Sequence, residues 1–157
     1  MPPLPTFTTQ PDEDTVLRPA IVDWLKAEGF EVYVDGLFDL VVAGTADQRN
    51  KHLELKVRLS SQNTQCPLTL PQWRLLNGLT SGSALNESAL VAIYDSVASK
   101  YALLRPARLR GGAQNTEPPS TSYVKKSFLD ELSWLQPVDA GSILKHWLNT
   151  GLGGYAF

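Results

Sequence analysis

The sequence predicts an α/β fold in which helices flank a central mixed β-sheet. Two patterns alternate along the 157 residues: apolar residues at helical spacing, and short apolar or alternating runs that are typical of strands. Their order is a helix, three strands, a helix, two strands and short helices, which packs most simply as a sheet covered by helices. Apolar residues make up 43% of the chain, enough for the core of one ordinary domain.

The first predicted element is a helix over residues 15–28. Gly29 ends it as a C-terminal cap. Because proline is tolerated only in a first turn, Pro19 predicts either that the helix starts in the region 14–18 or that it is kinked there. Its apolar stripe is formed by five side chains: Leu17, Ala20, Ile21, Trp24 and Leu25. A strand over 30–34 follows.

The remaining elements are read from the same patterns. The dipeptide Asp35-Gly36 predicts a hairpin turn. It leads into a strand over 37–43 whose nearly continuous apolar run predicts a central position, covered on both faces. The rest, in order, are a polar loop 44–51, a strand 52–59, a polar loop 60–67, a helix 68–79 with Thr69 as N-cap, strands 89–94 and 100–105, a loop 110–122, and short helices 127–135 and 140–148.

Domain organisation follows from composition. We expect a flexible arm over residues 1–13, a single domain over 14–148 and a tail over 149–157. No apolar run approaches the ~20 residues that a membrane span needs, and the N-terminus lacks the pattern of a signal peptide. A single cysteine, Cys66, allows no disulfide within the chain, which suits a reducing compartment. The expected location is therefore cytoplasmic, with no membrane contact.

The tripeptide Glu54-Leu55-Lys56 is the sharpest chemical feature. Strand period two places Glu54 and Lys56 on one face and Leu55 on the other. Asp39 lies inside the preceding apolar run, where a carboxylate costs several kcal/mol unless something compensates it. If the two strands are neighbours, Asp39 and Glu54 lie close together, and a hard divalent cation such as Mg²⁺ would relieve their repulsion.

This order of elements resembles the PD-(D/E)xK nuclease superfamily over roughly residues 14–94. The shared pattern is a helix, a hairpin, an aspartate in a strand, Glu-x-Lys further along, and a second helix. The resemblance implies a restriction-endonuclease-like core in which Asp39 and Glu54 bind Mg²⁺ or Mn²⁺ and Lys56 assists the attacking water. Phe38 stands where the family often has proline.

Many members of that superfamily also carry a glutamate on the first helix. The corresponding position here is Arg18. Asp14, one helical turn earlier, is the expected third metal ligand, and the neighbouring Glu13 is the alternative to it. A further alternative is that this ligand position has been lost.

Gln72 permits two interpretations. The segment around it resembles the stretch after Glu-x-Lys in resolvase-like and virus-type replication-repair nucleases, where a glutamine opens a helix near the site. Gln72 is accordingly a candidate catalytic residue. Thr69-x-x-Gln72 is equally a capping box, which would satisfy backbone N–H groups without any catalytic role.

The charge distribution is compatible with a nucleic-acid partner. The net charge is −2, but acidic residues dominate residues 1–60 and basic residues dominate the remainder. With two histidines and one cysteine, a zinc site or a His-centred nuclease is disfavoured. Six basic side chains are candidate contacts to DNA phosphates, or alternatively ordinary surface charge: Lys100, Arg105, Arg108, Arg110, Lys125 and Lys126.

These features together favour a metal-dependent DNA endonuclease acting in recombination or repair. We expect it to be structure-specific, similar to Holliday-junction resolvases, because a lone domain reads DNA shape more readily than a long base sequence. A homodimer acting on branched DNA is the expected form. The alternatives are a catalytically inactive DNA- or protein-binding module, a sequence-specific restriction-type enzyme, and a toxin or effector nuclease. Asp39 with a surface Glu–Lys pair is the purely structural interpretation.

Overall fold

The computed structural model describes residues 2–34, 39–46, 50–58, 66–72, 74, 88–111, 121–150 and 157. A π-helical turn, Glu13–Leu17, runs directly into the first α-helix. The elements are α1 (Arg18–Ala27), β1 (Glu31–Val34), β2 (Leu40–Ala43), β3 (Lys51–Arg58), β4 (Cys66–Thr69), β5 (Ala89–Asp95), β6 (Lys100–Leu104), α2 (Pro106–Gly111), β7 (Thr121–Val124), α3 (Lys126–Asp130) and α4 (Pro137–Thr150).

The predicted α/β class with a mixed sheet is confirmed. Five strands form the main sheet in the order β1-β2-β3-β5-β6. Strand β3 pairs with β5 in parallel, and the other three pairings are antiparallel. This arrangement, with helices against the sheet, is consistent with a restriction-endonuclease-like core. The central strand is β3 rather than β2, and β2 is fully buried on only one face.

Local chemistry marks both ends of the first helical segment, which begins one residue before the predicted region 14–18. The Asp12 side chain caps the π-helical turn by accepting hydrogen bonds from the backbone N–H groups of Asp14 and Thr15. Pro19 lies in the first turn of α1. Gly29 follows the helix with φ +92°, a left-handed conformation that glycine adopts without a Cβ clash.

Strand β3 separates an apolar face from a polar one, as its period predicts. Leu53, Leu55 and Val57 join the main core together with side chains of α1 and α4. Glu54 and Lys56 point to the opposite face, towards a second apolar cluster that includes Cys66 of β4, Val124 of β7 and Leu129 of α3. Two layers therefore enclose β3, and the charged pair lies between the sheet and the smaller layer.

The smaller layer corrects several predictions. Residues 66–69 and 121–124, expected to lie partly in loops, form a two-stranded antiparallel sheet, and α2 extends to the start of the predicted loop 110–122. The helix expected from residue 68 begins at residue 70. Strands of only four residues have little local signal, and here they are stabilised by pairing with a distant segment. Cys66 is consequently buried in β4 instead of lying in a polar loop. The predicted turn at 35–36 and residues 75–87 fall outside the described residues.

The N-terminal segment contacts the main core through Leu4 and Phe7. Leu4 is buried in the main core, and its N–H donates to the carbonyl of Pro137 over 3.1 Å. The Phe7 ring meets Tyr94 edge-on at 5.4 Å. At the other end of the chain Phe157 is also buried in the core. Among the described residues, no helix combines the length and apolar character needed to cross a membrane.

Candidate active site

Asp39 is held by the backbone of β3. It lies in a bend immediately before β2, and not inside the strand as predicted. The register of β2 with β3 ends at the Leu40–Leu53 pair, which leaves the N–H of Leu55 beyond the last pair. That N–H donates to Asp39 Oδ2 over 2.7 Å. The Asp39 carboxylate therefore accepts the hydrogen bond that a further residue of β2 would have accepted. The position of the carboxylate is set by the point at which β2 stops pairing with β3.

Glu54 and Lys56 are buried side by side on β3. Only 5% of Glu54 and 2% of Lys56 is exposed to solvent. Lys56 Nζ lies 3.7 Å from Glu54 Oε1 and 3.9 Å from Glu13 Oε1. The purely structural interpretation requires Glu54 and Lys56 to form a solvated pair on the surface. Their burial does not agree with that interpretation. Charged groups are kept inside a protein only when other groups compensate them.

Three carboxylates converge beside Lys56. Among the described residues, ligand oxygens of Glu13, Asp39 and Glu54 lie within 4.8 Å of one another. The expected third acid, Asp14, is outside this group: its side chain is 67% exposed and faces Arg18 at 3.5 Å. Glu13 occupies the place because it is the first residue of the π-helical turn, from which its side chain reaches towards β3.

Burial makes these acids hard to ionise together. It raises the pKa of Glu54 to about 8, with the negative charge of Asp39 adding to the rise and Lys56 opposing it. Burial likewise raises the pKa of Glu13 to about 7 and, against the hydrogen bond from Leu55, raises the pKa of Asp39. Repelling carboxylates of this kind are stabilised by a cation between them.

The donor set fits a hard divalent cation. Each of the three residues offers a carboxylate oxygen, the ligand type that Mg²⁺ and Mn²⁺ prefer. Zinc prefers thiolate ligands, and Cys66 is the single cysteine of the sequence. Burial raises the pKa of its thiol to about 12, which keeps the thiol protonated. The residues present therefore suit Mg²⁺ or Mn²⁺ better than zinc.

Gln72 connects the helix start to the charged cluster. Its Oε1 accepts hydrogen bonds from Lys56 Nζ over 2.5 Å and from the N–H of Thr69 over 3.1 Å. Its Nε2 donates to Glu54 Oε1 over 3.3 Å, while its own N–H donates to Thr69 Oγ1 over 3.4 Å. Gln72 therefore forms the capping box with Thr69 and also contacts Lys56 and Glu54, so the two interpretations of this residue hold together.

Arg18 lies beside Asp39, a contact that was not predicted from the sequence. Its Nη1 lies 3.5 Å from Asp39 Oδ1 and 3.5 Å from Asp14 Oδ1. The pair with Asp14 is recognisable from the four-residue spacing on a helix, whereas the pair with Asp39 depends on how α1 packs against the sheet. The Glu13 position was also detectable in part, because Asp12 as N-cap makes Glu13 the first helical residue.

The described members of the predicted basic set are distributed over several elements. Lys100 begins β6 and Arg105 follows its end, so the two are separated by a strand of five residues, about 16 Å. Arg105, Arg108, Lys125 and Lys126 are exposed; the Arg110 side chain falls outside the described residues. Lys126 Nζ pairs with Asp130 Oδ2 at 2.7 Å.

Comparisons with known proteins leave the family unassigned. No protein-family model matches the sequence, and no curated protein matches it. A solved structure of D212, a nuclease from a fusselovirus, aligns with a TM-score of 0.44 and 10% identity over 81% of this chain and 84% of that chain.

Proposed function

We propose that this protein is a metal-dependent nuclease that hydrolyses phosphodiester bonds in DNA. The observation that carries the proposal is the convergence of Glu13, Asp39 and Glu54 around the buried ammonium of Lys56. Three carboxylates gathered around a lysine of a mixed sheet also agree with the resemblance to PD-(D/E)xK nucleases. The purely structural interpretation does not explain why two buried and two half-buried ionisable groups lie together at a cost in solvation.

Each residue has a definite task in this proposal. Glu13, Asp39 and Glu54 would hold Mg²⁺ or Mn²⁺, which when bound lowers the pKa of coordinated water and offsets charge on the phosphate. The Lys56 ammonium, directed by its hydrogen bond to Gln72, would donate to the attacking water or to a phosphate oxygen where negative charge increases. Asp14 is not assigned a ligand role, because its exposed side chain pairs with Arg18 and lies outside the group of three carboxylates.

We further propose a structure-specific, cytoplasmic enzyme that acts on branched DNA as a homodimer. A domain of this size reads DNA shape more readily than a long base sequence, and cutting two strands of a junction requires two sites. The exposed side chains of Arg105, Arg108 and Lys125 are the best candidates for phosphate contacts. Size-exclusion chromatography with light scattering, with and without junction DNA, tests the oligomeric part of the proposal.

The decisive experiment compares cleavage of labelled linear, single-stranded, flapped and four-way-junction DNA in the presence of Mg²⁺ or Mn²⁺. Wild type should cut at least one of these, and Glu54→Gln and Lys56→Ala should not. Asp23→Asn removes an exposed carboxylate from α1 and should cut like wild type. DNA binding without cleavage by wild type would favour the inactive binding module, and discrete bands from long DNA would favour a restriction-type enzyme. Activity that survives both site substitutions would refute the assignment.

A further inference from the structure

Arg18 is a cation placed against one of the three clustered carboxylates. Asp39 uses Oδ2 for the Leu55 N–H, and its Oδ1 lies 3.5 Å from Arg18 Nη1. The same guanidinium nitrogen lies 3.5 Å from Asp14 Oδ1. Arg18 thus bridges an exposed acid and a member of the cluster, and 27% of its side chain remains exposed.

The two contacts are loose. Well-formed hydrogen bonds between guanidinium and carboxylate groups measure about 2.7–2.9 Å and are often bidentate. Both contacts of Arg18 are longer and use a single nitrogen. The guanidinium of arginine is positively charged, so Arg18 places a positive charge beside Asp39 for as long as the two residues are paired. A positive charge in that place opposes the entry of a second cation.

The accessible guanidinium also suits a phosphate. Its planar set of N–H donors matches two phosphate oxygens. A phosphodiester that is to be cleaved at the three carboxylates must approach Asp39, beside which Arg18 is partly exposed. A cation that occupies Asp39 reduces the attraction between Asp39 and Arg18. The free-energy cost for Arg18 to leave Asp39 and contact an incoming phosphate is then smaller.

We propose that Arg18 exchanges partners, from Asp39 in the metal-free site to a DNA phosphate in the loaded site, and thereby couples metal binding to DNA binding. This inference rests on the proposed metal-dependent function of Glu13, Asp39 and Glu54. It assigns Arg18 two effects: it weakens metal binding without DNA, and it strengthens DNA binding once the metal is present. By linkage, DNA must raise the affinity for metal by the same factor as metal raises the affinity for DNA.

The test measures Mn²⁺ binding by calorimetry, with and without a four-way DNA junction carrying phosphorothioate linkages that slow hydrolysis. Arg18→Gln should bind Mn²⁺ roughly tenfold more tightly than wild type without DNA, since a neighbouring positive charge has been removed. It should bind the junction more weakly in the presence of Mn²⁺. The junction should also raise its Mn²⁺ affinity less than it raises that of wild type.

Two control variants separate this role from simple helix stabilisation. Arg18→Lys keeps the charge and should retain the wild-type Mn²⁺ affinity without DNA. Lys26→Gln removes an exposed charge eight residues further along α1, about 12 Å away, and should bind Mn²⁺ and the junction like wild type. A purely structural role would change the melting temperature of Arg18→Gln and leave its Mn²⁺ affinity unaltered.

The outcomes distinguish the inference from the proposed function. If wild type binds Mn²⁺ and cuts DNA while Arg18→Gln has the same Mn²⁺ affinity, the inference is wrong and the nuclease proposal stands. If Arg18→Gln binds Mn²⁺ more tightly but the junction raises its Mn²⁺ affinity as much as in wild type, the exchange of partners is refuted. If wild type binds no Mn²⁺, the inference and the proposed function fail together.

Discussion

Lys56 donates a 2.5 Å hydrogen bond to Gln72, whereas the nearest carboxylate oxygens among the described residues, on Glu54 and Glu13, lie 3.7 Å and 3.9 Å from its Nζ. The Gln72 amide donates in turn to Glu54. The neutral side chain of Gln72 thus positions both the Lys56 ammonium and the Glu54 carboxylate. Gln72 lies in the first turn of a helix and also takes part in the capping box of that helix. Catalytic groups require this kind of support, because small displacements lower the rate steeply.

The double role of Gln72 can be separated by two substitutions. Gln72→Ala removes the contacts with Lys56 and Glu54 as well as half of the capping box, so cleavage should fall roughly 10- to 100-fold. Thr69→Ala removes one capping bond and leaves the Gln72–Lys56 bond in place. Thr69→Ala should lose about 1 kcal/mol of unfolding free energy in urea titrations and keep its activity. Gln72→Ala should lose more, because it also leaves the buried Lys56 ammonium without this hydrogen-bond partner. Equal activity in the two variants would leave Gln72 with the capping role alone.

Glu13 and Asp14 are adjacent acids with different expected roles. Glu13→Gln removes a carboxylate of the cluster and should weaken Mn²⁺ binding about tenfold or more. Asp14→Asn removes an exposed carboxylate outside the cluster and should weaken it only slightly. Calorimetric titration of both variants at the same pH provides the measurement. A larger loss in Asp14→Asn than in Glu13→Gln would restore the ligand expected from the sequence.

The stability of the metal-free protein should depend on pH through Glu54. Its pKa rises on folding from 4.5 to about 8, mainly by burial, so the folded state binds more protons than the unfolded state between these values. Unfolding free energy should therefore fall as pH rises from about 5 to 8.5. Urea titrations in EDTA should show wild type losing on the order of a few kcal/mol relative to Glu54→Gln, which cannot ionise. Parallel pH profiles for the two proteins would contradict the raised pKa.

Metal affinity should change with pH in the opposite sense. Carboxylates bind cations in their ionised form, and the pKa values of Glu13 and Glu54 lie at about 7 and about 8. Mn²⁺ binding should strengthen through this range in calorimetric titrations, and saturating Mn²⁺ should restore the stability lost at high pH. A Mn²⁺ affinity that stays constant from pH 6 to 8.5 would argue against these two ligands.

Arg58 should matter to stability far more than the lysine that shares one of its partners. It pairs with Asp95 at 3.4 Å and with Asp130, and its guanidinium lies 5.5 Å from the centre of the Trp134 ring. Arg58→Ala leaves Asp95 buried without that partner and should cost about 3–5 kcal/mol. Lys126→Ala removes an exposed partner of Asp130 and should cost less than about 1 kcal/mol. Chemical denaturation compares them, and similar losses would contradict the argument.

Salt dependence can identify the surface that contacts DNA. If Arg105, Arg108 and Lys125 each meet a phosphate, replacing any one by glutamine should lower affinity and reduce the slope of log K against log salt by about 1. Lys126→Gln should change the slope less, since its ammonium is already paired with Asp130. Fluorescence anisotropy with junction DNA over a series of salt concentrations measures both quantities. Unchanged slopes in all variants would show that these residues are ordinary surface charges.

Much of the fold and of the site was predictable because the relevant signals are local. The helix ending at Gly29 and the strands around residues 31–34, 51–58 and 89–95 follow from spacing within a few residues. Glu54 and Lys56 share a face because every strand has period two, whatever surrounds it. Their pairing with Asp39 required only that β2 and β3 be neighbours, as a short connecting loop suggests.

Other features depend on contacts between distant parts of the chain. Residues 66–69 form a strand because residues 121–124 pair with them, and no local pattern in either segment marks the partner. The choice of Glu13 over Asp14 as the third acid, and the contact of Arg18 with Asp39, depend on the angle at which the first helix meets the sheet. Periodicity along a sequence specifies which side chains share a face, but only packing brings faces together and establishes which charges are buried beside each other.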